Sequence, residues 1–430
     1  MIKKIKKIIK KLDKFLFKKF GSDKGTKFLE NIKEAEIIFS LLNEVGKESN
    51  IKFVGGCVRK SLTGDSIDDI DFATLLEPKE VKAKLKKSNI KVIDTGIDHG
   101  TVTAFVNGKK FEITTLRKDI VTDGRHAKVD YTLNWYEDSS RRDFTINSIY
   151  ADSEGRVFDL QNGVSDLKNG KVRFIGSPEI RIKEDYLRIL RYLRFFIQYS
   201  KEEHDKETIV SIKKNINGLN KISKERIFDE LKKIFNLKNF DNLFSNEQSK
   251  DLFLNIFPQL KHHERLKAIR ELNQNTQEKY DNDLILGLLI IDKSNDYEYF
   301  CHKYKTSNSI KDRFKFIYEN FEDSQNKNFY SEENIKKLIY LSSKSNVKDL
   351  LLFLISSDKK ANILIVEKLL KYVDGCKIPK FPISGEHLKK YGYVAGKELG
   401  KKLKSLEEKW IENNFVVTKQ IFEKFLEKNN

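Results

Sequence analysis

The sequence predicts an α+β protein, with a mixed sheet and connecting helices in the first part and helices alone in the rest. Two patterns predict it. Between residues 50 and 176, the β-branched runs KVIDTG, GTVTAFV and KFEITTL are separated by Gly-containing turns. Beyond Ser177 the apolar residues recur at helical spacing in EDYLRILRYLRFF, RIFDELKKIF, DLILGLLII and KDLLLFLI, with no strand signal between them. The predicted segments are a basic extension over residues 1–26, a sheet-bearing head over 27–176, a helical neck over 177–245 and a helical remainder over 246–430.

Composition narrows the partners. The 430 residues carry 82 Lys plus Arg against 64 Asp plus Glu, a net charge of 82 − 64 = +18. That excess points to a polyanion, because each phosphate neutralised by a cation releases a counterion. With 39% hydrophobic residues, 30 Phe and 16 Tyr, the chain can bury real cores. Cys57, Cys301 and Cys376 are far apart and lack CxxC spacing, which argues against disulfides or a zinc site and suits a reducing cytoplasm. No run of eighteen apolar residues predicts a transmembrane helix. The start, MIKKIKKIIKKLDKFLFKKF, lacks an uninterrupted apolar stretch and a cleavage site. It reads as a solvated Lys-rich extension, with a basic helix touching RNA or anionic membrane as the alternative.

The first chemical cluster is Phe53-Val54-Gly55-Gly56-Cys57-Val58-Arg59, followed by Asp68-Asp69-Ile70-Asp71-Phe72. On a strand, Asp69 and Asp71 project together while Ile70 and Phe72 face a core. Two hard oxygen ligands suit Mg²⁺, which takes a carboxylate or two and completes its shell with phosphate and water. Gly55 and Gly56 free backbone N–H groups to meet phosphate oxygens. Either motif alone is more often a turn or a solvated edge; their proximity, with Arg59 between, favours function. Glu112, on the strand KFEITT, completes a carboxylate triad if that strand neighbours the aspartates, and is otherwise an exposed sheet residue.

In Arg141-Arg142-Asp143-Phe144-Thr145-Ile146-Asn147, a helix would set Asp143 and Asn147 on one face, able to hold a ribose while an Arg meets a triphosphate. Taken alone, an ordinary charged helical turn is the commoner use. Ser177 and Pro178 mark a helix start, and Leu187, Leu190 and Leu193 or Phe196 share a face. In Glu184-Asp185-Tyr186-Leu187-Arg188, helical spacing places Asp185 beside Arg188. That acceptor and donor pair complements cytosine or adenine, whose exocyclic amine faces Asp185, and rejects uracil and guanine. A plain surface ion pair is the commoner use of such neighbours.

The ordered set GGxVR, DxD, RRDFTxN and EDxxR resembles the class II tRNA nucleotidyltransferase and bacterial poly(A) polymerase family. The similarity spans residues 27 to 235, including Asp159-Leu160-Gln161-Asn162-Gly163 and Ser223-Lys224-Glu225-Arg226-Ile227. Thr95-Gly96-Ile97-Asp98-His99-Gly100-Thr101 and Thr122-Asp123-Gly124-Arg125-His126-Ala127 resemble the alphaproteobacterial CCA-adding kind. The resemblance implies a polymerase-β-like nucleotidyltransferase head and a helical neck, body and tail that bind tRNA. It implies that Asp69 and Asp71 hold the metals, that Gly55, Gly56 and Arg59 cradle the triphosphate, and that Arg142, Asp143, Asn147 and Arg191 position the nucleotide. Asp185 and Arg188 then form an amino-acid template for CTP and ATP. The segment between Arg117 and Arg141, with Arg125 and His126, favours full CCA addition; poly(A) or A-only addition is the second reading, and a silent RNA-binding protein the reading from another class. Lys60 and Tyr186 depart from the family pattern, the first putting a supporting salt bridge in doubt. His204, in the lone His-Asp dipeptide, is expected at the surface, as are His262 and His263.

Overall fold

In the computed structural model the described residues are 32–43, 49–96, 100–122, 127–276, 280–324, 326–357 and 363–416. The Lys-rich start, residues 97–99, Arg125 and His126 lie outside them. The chain forms two compact units, Met1–Ile256 and Phe257–Asn430.

The first unit opens with α1 (Lys33–Leu42), β1 (Ile51–Val54), α2 (Gly56–Thr63), β2 (Ile70–Thr74), α3 (Pro78–Lys87) and β3 (Lys91–Gly96). The strands β4 (Thr101–Val106), β5 (Lys109–Thr115), β6 (Arg117–Thr122) and β7 (Ala127–Tyr131) follow, then α4 (Trp135–Ser140), β8 (Ile149–Ala151), β9 (Val157–Asp159) and α5 (Gly163–Asn169). A seven-stranded sheet has the order β3-β4-β5-β2-β1-β8-β9, and β6 pairs with β7 in a separate ribbon. The sheet is mixed: β2 and β5 run parallel, β1 antiparallel to both β2 and β8.

Period 2 divides each strand between two faces. Phe53, Phe72 and Phe111 bury one face against Phe39 of α1, with Phe53 and Phe72 stacked at 4.9 Å. Each such ring contributes about 1.5–3 kcal/mol of burial. The opposite face carries Val54, Ala73, Leu116, Trp135 and Tyr150. Asp71 alternates with Phe72 and so shares that second face, two residues from Ala73.

Beyond the sheet come α6 (Pro178–Glu184), α7 (Arg188–Tyr199), α8 (Lys206–Asn215), α9 (Lys224–Phe235), α10 (Asn242–Ser245) and α11 (Glu247–Ile256). Ser177 is the N-cap of α6 with Pro178 in its first turn, as the sequence predicts. Leu187, Leu190, Leu193 and Phe196 are all buried, so the predicted apolar face of α7 is real. Among its described residues the second unit has helices and no strands, the helices running from Arg265–Thr276 to Lys397–Glu412. Its core includes Phe300, Phe314 and Phe353, each fully buried.

Candidate active site

The parallel pairing of β2 with β5 sets Asp71 directly opposite Glu112, so two residues forty-one positions apart meet on one sheet face. Asp69 lies exposed just before β2. Burial first, then the charges of Glu112 and Asp69, push the Asp71 carboxyl up to about 6, against the pull of Arg142. The expected triad is only partly assembled. Glu112 ion-pairs with Lys110 at 2.6 Å, and no group of three His, Cys, Asp or Glu side chains is gathered for a metal among the described residues. Crowded carboxylates without a closed cage fit Mg²⁺, which needs one or two protein oxygens and leaves positions for substrate and water.

Gly55 and Gly56 play different parts. Gly55 takes φ 71°, and its N–H donates to the Ile149 carbonyl at 3.0 Å, so this group is committed to the fold rather than offered to phosphate. A Cβ there would lie 3.3 Å from the Asn147 carbonyl oxygen in a conformation that side chains resist. Gly56 opens α2 into clear space, and the phosphate expectation passes to its first turn. Arg59, buried on α2, donates from Nη1 to Asn147 Oδ1 and from Nε to the Tyr199 hydroxyl at 3.1 Å. The departure at Lys60 costs no support, because its Nζ reaches Asp68 at 2.6 Å.

The RRDFTIN segment is not the helix its spacing predicted. Phe144 is extended, and only Thr145–Asn147 form a short 3₁₀ turn. The backbone is drawn into non-local pairing instead: the Ile175 N–H donates to the Asp143 carbonyl and the Thr145 N–H to the Arg173 carbonyl. Asp143 and Asn147 still meet, with Nδ2 of Asn147 donating to Oδ1 of Asp143 at 2.9 Å. Arg191 donates from Nε to Oδ2 of Asp143 at 2.8 Å. Burial opposes ionisation of Asp143, but Arg191, Asn147 and Arg188 hold the carboxyl down to about 2. Asp159 anchors the neighbouring DLQNG turn by accepting the Gly163 and Val164 N–H groups at 2.8 Å.

Sequence reasoning missed Asp138. It is 1% exposed, and Oδ1 accepts Nε and Nη2 of Arg141 while Oδ2 accepts Nε and Nη2 of Arg142 and the Tyr150 hydroxyl. Burial raises its pKa, but the two guanidiniums and Tyr150 hold the carboxyl well below the usual range. Its position three and four residues before the Arg pair was the available signal. Arg142 is thereby fixed beside Asp71 and the Gly55 turn.

The expected side-by-side pairing of Asp185 and Arg188 is replaced by two other pairs. The helix breaks at Asp185 (φ −152°, ψ 106°), whose Oδ1 accepts the Leu187 N–H at 3.1 Å and whose Oδ2 accepts Nη2 of Arg226 at 2.9 Å. Arg188, at the start of α7, pairs with Glu184 at 2.5 Å. Tyr186 sits over Gly218, where a Cβ would come within 2.0 Å of the ring.

The surface expectation for His204 is overturned. It is buried, stacked on Phe196 at 3.5 Å, with Nδ1 at 2.9 Å from the Tyr192 hydroxyl and Nε2 at 2.8 Å from the Ser249 hydroxyl. Helices α7 and α11 close over it, which the charged local sequence conceals. His262 and His263 are half-buried.

Paired carboxylates on a mixed sheet, a glycine turn and flanking arginines make a site suited to a cation and a phosphorylated ligand. Residues 51–173 match the family described as "Poly A polymerase head domain", and residues 204–264 match "Probable RNA and SrmB- binding site of polymerase A". The chain belongs to the CCA-adding tRNA nucleotidyltransferase family. It is 34% identical over 410 residues to the Mus musculus "CCA tRNA nucleotidyltransferase 1, mitochondrial", covering 93% of this chain and 91% of the relative. It is 32% identical over 404 residues to the Lactobacillus helveticus "CCA-adding enzyme", covering 91% of this chain and 95% of the relative. The fold is shared with the Bacillus stearothermophilus CCA-adding enzyme solved in complex with CTP, at TM-score 0.68 and 24% identity, over 92% of this chain and 97% of that one. Among the described residues no helix is long and apolar enough to cross a membrane.

Proposed function

We propose that this enzyme adds C, C and A from CTP and ATP to the 3′ end of tRNA without a nucleic-acid template. The observation that carries the reading is the meeting of Asp71 with Glu112 on a sheet face flanked by Arg142. Asp69 and Asp71 would hold Mg²⁺, with Glu112 beside them. A metal held there would supply charge neutralisation at the α-phosphate for attack by the RNA 3′-hydroxyl, with pyrophosphate as the leaving group. The chain's own contribution is positioning. Arg59, Arg142 and the first turn of α2 from Gly56 receive the triphosphate, Gly55 lets the backbone approach, and Asp143, Asn147 and Arg191 orient the nucleotide. Asp185 and Arg188 present an acceptor and donors to the base. Each starts from an ion pair, with Arg226 or Glu184, that the base edge must share or displace.

The +18 charge supports tRNA as the polyanion. Three buried free thiols, Cys57, Cys301 and Cys376, support a reducing, cytoplasmic location, whereas the vertebrate relatives are named mitochondrial.

The test is incubation with Mg²⁺, CTP, ATP and a tRNA lacking its terminal CCA, followed by sequencing of the 3′ ends. CCA ends are expected, together with loss of all addition in Asp69→Ala and Asp71→Ala and nearly unchanged tRNA affinity. A lone A or an A-tract would establish the other family reactions, and no incorporation by the intact protein would favour a silent binder.

A further inference from the structure

Along α7 (Arg188–Tyr199), residues 188, 191, 195 and 199 follow at i, i+3, i+7 and i+11, one stripe of a helix. The stripe begins at the base-reading Arg188 and passes Arg191, which grips Asp143. It ends on the aromatic pair Phe195 and Tyr199, which hold the phosphate-reading Arg59. The Arg59 guanidinium lies 4.8 Å from the Phe195 ring centre and 5.2 Å from that of Tyr199, and Nε donates to the Tyr199 hydroxyl. Arg59 is 5% exposed, yet among the described residues no carboxylate forms an ion pair with it. Its polar partners, Asn147 and Tyr199, are neutral. A buried guanidinium held only by neutral groups and ring faces keeps its charge available for an incoming anion.

We propose that Tyr199 and Phe195 are positioning residues that seat Arg59 for the nucleotide triphosphate, so that one helix fixes both the base-reading and the phosphate-reading ends of the site. The inference rests on the proposed reading of the site. The helix separates Arg188 from Tyr199 by about 16 Å at 1.5 Å per residue, and its rigidity sets the spacing between the two ends. Phe195 is also covered by Arg194 at 4.2 Å, and Arg194 is tied to Glu230 of α9. The ring that carries Arg59 is thus also held by a guanidinium that is itself ion-paired.

The experiment is steady-state addition by the full chain carrying Tyr199→Phe, which removes one hydroxyl and keeps the ring. KM for CTP and for ATP should rise together by about tenfold, the effect of one hydrogen bond to a charged group, with kcat changed by less than about twofold. The choice among the four nucleotides should stay the same. In Arg59→Ala the further change Tyr199→Phe should leave KM where Arg59→Ala alone puts it, because the hydroxyl acts through the guanidinium. Unchanged KM in Tyr199→Phe overturns the inference, as do effects of the two substitutions that multiply. Asp71→Ala, measured alongside, separates the two levels: retained addition there refutes the site itself, whereas its loss combined with an unchanged KM in Tyr199→Phe refutes only the seating role.

Discussion

Replacing Asp138 with Asn keeps the shape of the side chain and removes the charge between Arg141 and Arg142. Both guanidiniums then remain in place with one neutral acceptor where a carboxylate stood, and the carboxylate is 1% exposed. Breaking a buried ion pair by removing one partner costs about 3–5 kcal/mol, because the remaining charge is left uncompensated. Retention of an amide oxygen puts Asp138→Asn near the lower end, about 3 kcal/mol. For a cooperative unit of this size that is a fall of about 6–12 °C in melting temperature. Asp68→Asn removes an ion pair of comparable length, Lys60 to Asp68 at 2.6 Å, but these side chains are 26% and 71% exposed. Solvent screening limits that loss to about 0–1 kcal/mol. Urea denaturation of both variants, read as a midpoint shift at constant slope, makes the comparison. Asp138→Asn should also raise KM for CTP, since Arg142 keeps the Tyr150 hydroxyl but loses the charged acceptor that aims it beside Asp71. Equal midpoint shifts in the two variants, or a large shift with unchanged KM, would refute the claim that this buried carboxylate aims Arg142.

Three further outcomes are expected. The buried His204 has its pKa pushed down to about 4 by desolvation. The unfolded chain therefore binds the proton first, and stability is full above pH about 6.5 and falls by about 3 kcal/mol as pH drops toward 4. Denaturation midpoints across that window check it, and His204→Gln should flatten the slope. Arg188→Ala should relax base choice more than it weakens triphosphate binding; if UTP and GTP remain as poorly used as before in competition assays, the base-reading role fails. Gly218→Ala forces a Cβ against the Tyr186 ring and should cost about 1–3 kcal/mol in urea midpoint measurements. Tyr186→Ala in the same chain should recover most of that loss.

Local chemistry was legible wherever it depended on neighbouring residues. The alternation that buries Phe72 and turns Asp71 to the other face, the Ser177-Pro178 helix start and the apolar stripe of α7 all follow from periods of 2 and 3.6, which a few consecutive residues encode. The order of the four motifs is equally a property of the chain alone. Other features depend on which distant segments pair. Glu112 stands beside Asp71 because β5 pairs in parallel with β2, a register that nothing within either strand specifies. His204 is buried because α11 supplies Ser249 across forty-five residues. Asp185 and Arg188 take Arg226 and Glu184 rather than each other because the helix breaks between them and α9 brings in a cation. Sequence determined which groups were available and which face of each element they occupy; only packing decided their partners, because burial and charge pairing are set by contacts that close long loops.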